Sequence, residues 1–175
     1  MTKQELIGLY QTKMNHIQLC YASLILWSHE EMPAFFDKFH NELDDGIKVF
    51  PNAMTLIGDK VGMKIASEEL YQSSYRSAVK ELFQLTKLYC HQTKQLDDLK
   101  SQPWFQFWLI LRNCWSHHMV FNLNPDEKSK LPLTWSGVTL DESINGKPLT
   151  HGVCSYQKLY ELIETGQKYV QQDLA

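Results

Sequence analysis

The stretch Trp104–His118, WFQFWLILRNCWSHH, decides how this chain folds. Its first two turns are apolar on every side, so a helix formed here must be the buried central helix. Its last two turns place five polar side chains beside that dry core: Arg112, Asn113, Ser116, His117 and His118. A buried guanidinium is costly unless it is paired, and histidine titrates near neutral pH. These residues are therefore the candidate functional site.

Upstream of this stretch, apolar residues recur at three- and four-residue spacing, which is typical of amphipathic helices. A capping box over residues 2–5 opens a long first helix that is expected to end near His29. Pro33 suits the first turn of a second helix, and Pro51 stops that helix.

Two glycines separate these helices from the next one. Gly58 and Gly62 break any long pattern, so residues 52–66 are predicted to be a loop with at most a short helical piece. Ser67 then caps a third helix that is expected to run to about Leu99, just before the central helix.

Downstream of the central stretch the pattern changes to turns and short strands. Residues 124–127 are turn-like, residues 131–135 and 138–140 are β-prone, and Asn145-Gly146 is the strongest short hairpin signal in the chain. We expect a small β-hairpin arm over about residues 131–150.

The final helix begins after Ser155, its predicted N-cap, and Gly166 is its weak point. The residues expected to face inward are Leu159, Leu162, Ile163, Tyr169 and Val170. The predicted fold class is all-α: a four- to five-helix bundle with a small β-hairpin insertion before the last helix, in a single domain over residues 1–175.

Composition limits the classes of function. The chain has 175 residues, of which 43% are hydrophobic, and this is enough for one domain with a substantial core. Its 17 basic and 20 acidic residues give a formal charge of −3, which argues against a broad basic surface for duplex nucleic acid. Any contact with nucleic acid must therefore be local.

The cysteines and the N-terminus indicate the compartment. The four cysteines are scattered and form no C-x-x-C pair, so neither a zinc site nor a disulfide framework is predicted. The N-terminus lacks a signal-peptide pattern, and no apolar run is long enough for a membrane span. We expect a soluble, cytoplasmic protein with reduced thiols.

The candidate site has a plausible chemistry. On an ideal helix Asn113 and His117 share a face, and Arg112 and His117 lie about 140° apart, a gap that a long Arg side chain partly closes. An Arg can clamp a phosphate while a neutral imidazole takes a proton from a hydroxyl, which is sufficient for metal-free cleavage of an RNA backbone.

Residues 112–117, R-N-C-W-S-H, resemble the R-[polar]-x-x-x-H motif of the HEPN superfamily (higher eukaryotes and prokaryotes nucleotide-binding). The setting is also similar, because in that family the motif lies late on a core helix of an all-α bundle, just before the final helix. The resemblance implies a homodimer whose two motif helices form a shared cleft that cuts RNA without metal. Such proteins often act as toxins or anti-phage effectors.

Carried over to this chain, the resemblance makes Arg112 the phosphate clamp, Asn113 a polar auxiliary and His117 the acid–base group. His118 fits the family's looser spacing and ranks second because it does not share the face of Asn113. The implied partners are a second copy of the chain, an RNA substrate, and an antitoxin or nucleotidyltransferase-like protein that holds the effector in check.

Two alternatives stay open. In the first, the chain is a non-catalytic helical interaction module of the same fold, in which Arg112 pairs with a carboxylate and His117 donates to a carbonyl. The helical layout also resembles the DinB-like hydrolases, in which a metal site would draw on His16, His29 and His40 with Glu30, Glu31 or His91. No ligand pair at same-face spacing occurs apart from His117-His118, so no metal or other cofactor is predicted. Cys114 is expected to be a small buried thiol rather than a reactive one.

Overall fold

The structure is a computed structural model that describes residues 1–32, 34–35 and 58–174. The helices in these ranges are α1 (Lys3–Trp27), α2 (Lys60–Gln92), α3 (Leu96–Ser101), α4 (Phe105–Ser116), α5 (Pro125–Lys128) and α6 (Tyr156–Gln172). Strands β1 (Leu133–Trp135) and β2 (Val138–Leu140) pair antiparallel, and a 3-10 turn spans Glu142–Ile144. The predicted all-α bundle with a small hairpin before the last helix is confirmed.

The chain divides into two compact units. The first, called the core unit below, combines Met1–Met14 with Tyr75–Ala175, and the second is Asn15–Ser74. In the second unit the rings of Tyr21 and Tyr71 pack with their centroids 5.5 Å apart. The single domain over residues 1–175 stays a prediction. Within the described ranges, no helix combines the length and hydrophobicity that a membrane span requires.

The loop predicted for residues 52–66 is wrong from Lys60 onward, because α2 begins there. The Asp59 carboxylate accepts the N–H of Val61 at 3.1 Å and so caps the new helix. A glycine in the first turn, Gly62, is tolerated there. The predicted second helix, from Pro33 to Pro51, lies outside the described residues except for positions 34 and 35.

The third helix ends earlier than predicted. α2 stops at Gln92, and Lys94 takes the left-handed conformation with φ 60°. The N–H of Gln95 donates to the carbonyl of Cys90 at 2.7 Å, which is the six-residue closure of a Schellman motif. The sequence hid this ending because Lys94 stands where glycine is usual.

Trp108 on α4 is the centre of the core unit. Its side chain is fully buried, and its indole Nε1 donates to the carbonyl of Val79 on α2 at 2.9 Å. Trp104 and Phe83 pack on it with ring centroids 5.6 and 5.9 Å away. The prediction of a buried central helix is thus confirmed for the apolar part of the stretch.

Gly166 is the point where α6 crosses this centre. A Cβ there would meet Trp108 Cη2 and the hydroxyl of Tyr10 at 2.8 Å each. Its role is therefore close helix packing, and the low helix propensity that makes it a weak point of α6 accompanies that role. The other predictions for α6 are confirmed: the Ser155 side chain caps it, and all five residues expected to face inward are buried.

The hairpin forms over the predicted strands, but its turn is elsewhere. Ser136 and Gly137, with φ 46° and 79°, link β1 to β2, as a type I′ turn requires. The hairpin turn predicted at Asn145-Gly146 is wrong. That pair has φ −60° and ψ 130° followed by φ 77°, the values of a type II turn. The ring of Trp135 packs 5.6 Å from Phe107, which places the hairpin on α4.

Gly166→Ala is expected to destabilise the protein by about 1–3 kcal/mol, because the new methyl group overpacks against Trp108. This loss outweighs the gain of up to about 1 kcal/mol in helix propensity. Gly8→Ala is the matched control: Gly8 is exposed within α1 and a Cβ there meets nothing within 4 Å, so stability should rise by about 0.5–1 kcal/mol. Urea denaturation of both variants measures the two effects, and equal signs would contradict the packing role.

Candidate functional site

The helix that carries the candidate site ends two residues earlier than predicted. α4 stops at Ser116, and His117 is its C-cap with φ −117° and ψ 56°. His118 and Met119 then both have positive φ, 58° and 61°. The expected continuation of the helix through His118 is therefore wrong, and helical spacing does not fix where the two imidazoles lie.

A Schellman-type turn closes α4. The N–H of Met119 donates to the carbonyl of Cys114 at 3.1 Å, and His118 occupies the left-handed position that glycine usually fills. This conformation costs an L-residue about 1–2 kcal/mol. The N–H of Leu149 donates to the carbonyl of Met119 at 2.7 Å, so the segment before α6 holds the turn in place.

Arg112 and Asn113 form one polar network on the last turn of α4. The Arg112 Nη1 donates to the Asn113 Oδ1 at 2.9 Å, and the Asn113 Nδ2 donates to the Glu127 Oε1 at 2.7 Å. The Nε of Arg112 is buried and has no hydrogen-bond partner among the described residues. The side chains of Arg112 and Asn113 are both half-buried, so they lie at the edge of the core.

Glu127 is the member of this network that sequence reasoning missed. Its side chain is only 2% exposed. Its Oε2 accepts the N–H of Asn124 at 2.9 Å, and its own N–H donates to the Asn124 Oδ1 at 3.0 Å. These two bonds form a capping box at the start of α5. The signal was present as N-P-D-E, an N-cap residue with Glu three positions later, but residues 124–127 were interpreted as a turn.

His117 and His118 are exposed and line an open surface pocket of about 400 Å³. The other lining residues are Val120, Phe121, Asn122, Asn145 and Gly146. The described lining contains imidazole and amide groups and no carboxylate. Because the Asn145 Oδ1 accepts the N–H of Leu123 at 2.9 Å, the amide nitrogen of Asn145 is held facing away from that bond.

The structure thus brings the predicted site residues together in two pairs. Arg112 and Asn113 share a hydrogen bond, and His117 and His118 share a pocket. Neither Arg112 nor Asn113 belongs to the described lining of that pocket. In one copy of the chain the Arg112 guanidinium therefore does not line the pocket that the two imidazoles share.

Cys114 lies between these pairs and is buried. Burial raises the pKa of its thiol to about 12, against a weaker opposing effect of a backbone hydrogen bond at Leu149. At neutral pH the residue is a protonated thiol, which is a poor nucleophile. The geometry favours the interpretation of Cys114 as a small core residue.

The histidines considered for a metal site form no ligand group among the described residues. His16 and His91 are exposed on α1 and α2, and the Nδ1 of His29 accepts the N–H of Glu31 at 3.3 Å. His40 lies outside the described residues. Within the part of the chain that the structure describes, no group of three or more His, Cys, Asp or Glu side chains is placed to hold a metal ion.

Comparisons with protein-family models, curated proteins and solved structures found no significant match. The geometry of the site itself therefore carries the functional assignment.

His118→Gly is expected to stabilise the protein by about 0.5–1 kcal/mol, because glycine adopts positive φ without the steric cost. Ser116→Gly, two residues earlier in the last helical turn, is the matched control and should lose about 0.5 kcal/mol. Thermal and urea unfolding measure both. A loss of stability in His118→Gly would show that the imidazole itself holds the turn.

Stability is expected to fall at alkaline pH. Burial raises the pKa of Cys90 to about 11 and those of Cys114 and Cys154 to about 12; it raises the pKa of Tyr10 as well. An unfolded thiol ionises from about pH 8.5, whereas the folded thiols stay protonated. Their contribution is therefore complete below that pH and is lost progressively toward pH 11 to 12.

Urea unfolding between neutral pH and about pH 10.5 measures this fall. Cys114→Ala removes one of the titrating groups, so its stability should decline less steeply with pH than that of the wild type, even though its stability at neutral pH is lower. Parallel curves for the two proteins would contradict the assignment to Cys114.

Proposed function

We propose that this chain is a metal-independent endoribonuclease of the HEPN type that acts as a homodimer. The observation that carries the proposal is the placement of two exposed imidazoles, His117 and His118, on a held turn directly after the helix that carries Arg112 and Asn113. The net charge of −3 agrees with local contact to RNA rather than a broad basic surface.

The chemistry needs only groups that this chain supplies. Arg112 binds the scissile phosphate and stabilises its developing negative charge. A neutral imidazole, from His117 with His118 as the second candidate, removes the proton of the ribose 2′-hydroxyl. The 2′-oxygen then bonds to phosphorus, the bond to the 5′-oxygen breaks, and that oxygen takes up a proton. The products are a 2′,3′-cyclic phosphate and a free 5′-hydroxyl.

The separation of the two pairs favours a composite site. Since Arg112 is not part of the pocket lined by His117 and His118, the proposal has the Arg112 of one copy act with the His117 of the other across a two-fold cleft. The proposal includes a role as a toxin or defence effector and an antitoxin or nucleotidyltransferase-like partner that restrains the enzyme.

A second candidate function is a non-catalytic dimerisation or interaction module with the same fold. The observation that favours it is that the amide oxygen and the amide nitrogen of Asn113 are each hydrogen-bonded within the chain, to Arg112 and to Glu127. A network of this kind is what a structural role for Arg112 requires.

Cleavage of single-stranded RNA in the presence of EDTA distinguishes the two functions. We expect His117→Ala and Arg112→Lys to lower the rate by roughly 100-fold or more while the protein stays folded. Lysine keeps the charge of Arg112 but not its fork of donors. His16→Ala, at an exposed histidine on α1, is the control and should cut as the wild type does. Wild-type rates in both site variants, or no cleavage by the wild type, would leave the interaction module as the function.

Mixing the two inactive variants tests the composite site. If Arg112 and His117 act from opposite copies, re-associated mixtures of Arg112→Lys and His117→Ala contain heterodimers with one intact site, and about a quarter of the wild-type activity returns. A site within one copy would give no recovery, and a monomer in sedimentation analysis would exclude the shared cleft.

A further inference from the structure

Glu127 lies outside the R-N-x-x-x-H motif, yet among the described residues it is the only carboxylate that forms a hydrogen bond with a side chain of that motif. We propose that Glu127 is the positioning residue of the site: it fixes the amide of Asn113 and, through that amide, the guanidinium of Arg112. The effect on cleavage rests on the proposed function, whereas the positioning itself is measurable without it.

The donors and acceptors of the network allow only one arrangement. A carboxylate accepts hydrogen bonds and a guanidinium only donates them. An amide placed between the two must therefore turn its nitrogen toward Glu127 and its oxygen toward Arg112, as the 2.7 and 2.9 Å bonds have it. The charge on Glu127 thus decides which way Asn113 faces.

The carboxylate is itself held firmly. It is 2% exposed, and its second oxygen accepts the backbone N–H of Asn124 in the capping box of α5. A buried anion is stable only while such bonds are kept. Glu127 is therefore a fixed point from which the half-buried side chains at the end of α4 are oriented.

The side-chain amide of Asn113, which lies between Glu127 and Arg112 and is called the spacer below, also keeps the positive charge of Arg112 available for a ligand. Arg112 forms no direct ion pair with a described carboxylate, and its hydrogen bond goes to the neutral amide of Asn113. A direct carboxylate contact would neutralise the guanidinium, whereas the spacer orients it and leaves most of its attraction for a phosphate. This is the arrangement that a phosphate clamp needs.

The Nε–H group of Arg112 can be observed individually by NMR, because Arg76 and Arg112 are the only arginines of the chain. Nitrogen-edited NMR of the intact protein therefore shows two Nε–H signals, and Arg76→Lys identifies the one from Arg112. In the wild type the Arg112 signal should exchange slowly with water, since its Nε is buried. A signal that exchanges as fast as that of free arginine would overturn the proposal on the unmodified protein.

Glu127→Gln breaks the network with little change of volume. The new side chain has one acceptor oxygen for two donors, Asn113 Nδ2 and Asn124 N–H. We expect faster Arg112 Nε–H exchange and a fall in kcat of roughly 10- to 100-fold from misplacement of the clamp. Asn124→Ala is the matched control: it removes the other half of the capping box, loses stability, and leaves the Asn113 contact and kcat unchanged.

A double variant supplies the decisive rescue. In Asn113→Asp with Glu127→Gln the polarity of the contact is reversed, because the introduced amide donates to the introduced carboxylate and its oxygen still accepts from Asn124. Slow Nε–H exchange should recover relative to Glu127→Gln, whereas kcat should stay low because the introduced carboxylate contacts Arg112 directly and neutralises the guanidinium. Asn113→Asp alone faces two carboxylates against each other and stays impaired in both readouts.

The outcomes separate the two proposals. If the wild type cuts RNA and Glu127→Gln cuts as fast as Asn124→Ala, the nuclease stands and the positioning role of Glu127 is overturned. If the wild type does not cut RNA, the proposed function fails, and the exchange of the Arg112 Nε–H alone decides whether Glu127 fixes the guanidinium. Failure of the double variant to slow that exchange counts against the positioning role in either case.

Discussion

The core unit depends on the seating of the Trp108 indole against the backbone of Gly166. No side chain other than hydrogen fits at that crossing, and the indole N–H is bonded to a carbonyl of α2. One side chain therefore fixes α2, α4 and α6 against one another. Arg112 follows Trp108 by four residues, so it lies on the same side of α4 one turn nearer the end. Packing at Trp108 thus places Arg112 where the core meets solvent.

The end of α4 therefore lies between the half-buried hydrogen-bond network of Arg112, Asn113 and Glu127 and the open pocket lined by His117 and His118. On the dry side the short helix α5 contributes Glu127, whose buried charge is satisfied by Asn113 and the backbone of Asn124. On the wet side the turn at His118 presents two imidazoles beside the segment that precedes α6. The backbone therefore divides the polar residues at the end of α4 into a half-buried hydrogen-bond network and two exposed imidazoles, and the proposed nuclease would draw on both groups.

Sequence patterns predicted the helices and strands whose formation depends on burial. They failed where the backbone conformation of a single residue ends a helix. Apolar spacing predicted α1 and α6, the all-round apolar stretch predicted α4, and β-prone segments predicted both strands, because burial sets the residue types along each element. The ends of α2 and α4 were missed since Lys94 and His118 hold left-handed positions that glycine normally marks. The contact between Glu127 and Asn113 was missed for another reason: the two residues are 14 positions apart, and the N-P-D-E capping pattern predicts a helix start but not a contact made by tertiary packing.

The turn after α4 costs more than ending a helix requires. At the end of α2 the chain stops a helix with one left-handed residue, Lys94, whereas after α4 it uses two in succession, His118 and Met119. Each such residue is unfavourable by about 1–2 kcal/mol unless surrounding bonds hold it. The pairing of Met119 with Leu149 supplies that hold. Backbone strain that a fold maintains without needing it for closure tends to lie at functional sites, and at this turn it accompanies the exposure of His117 and His118 directly after the helix that carries Arg112.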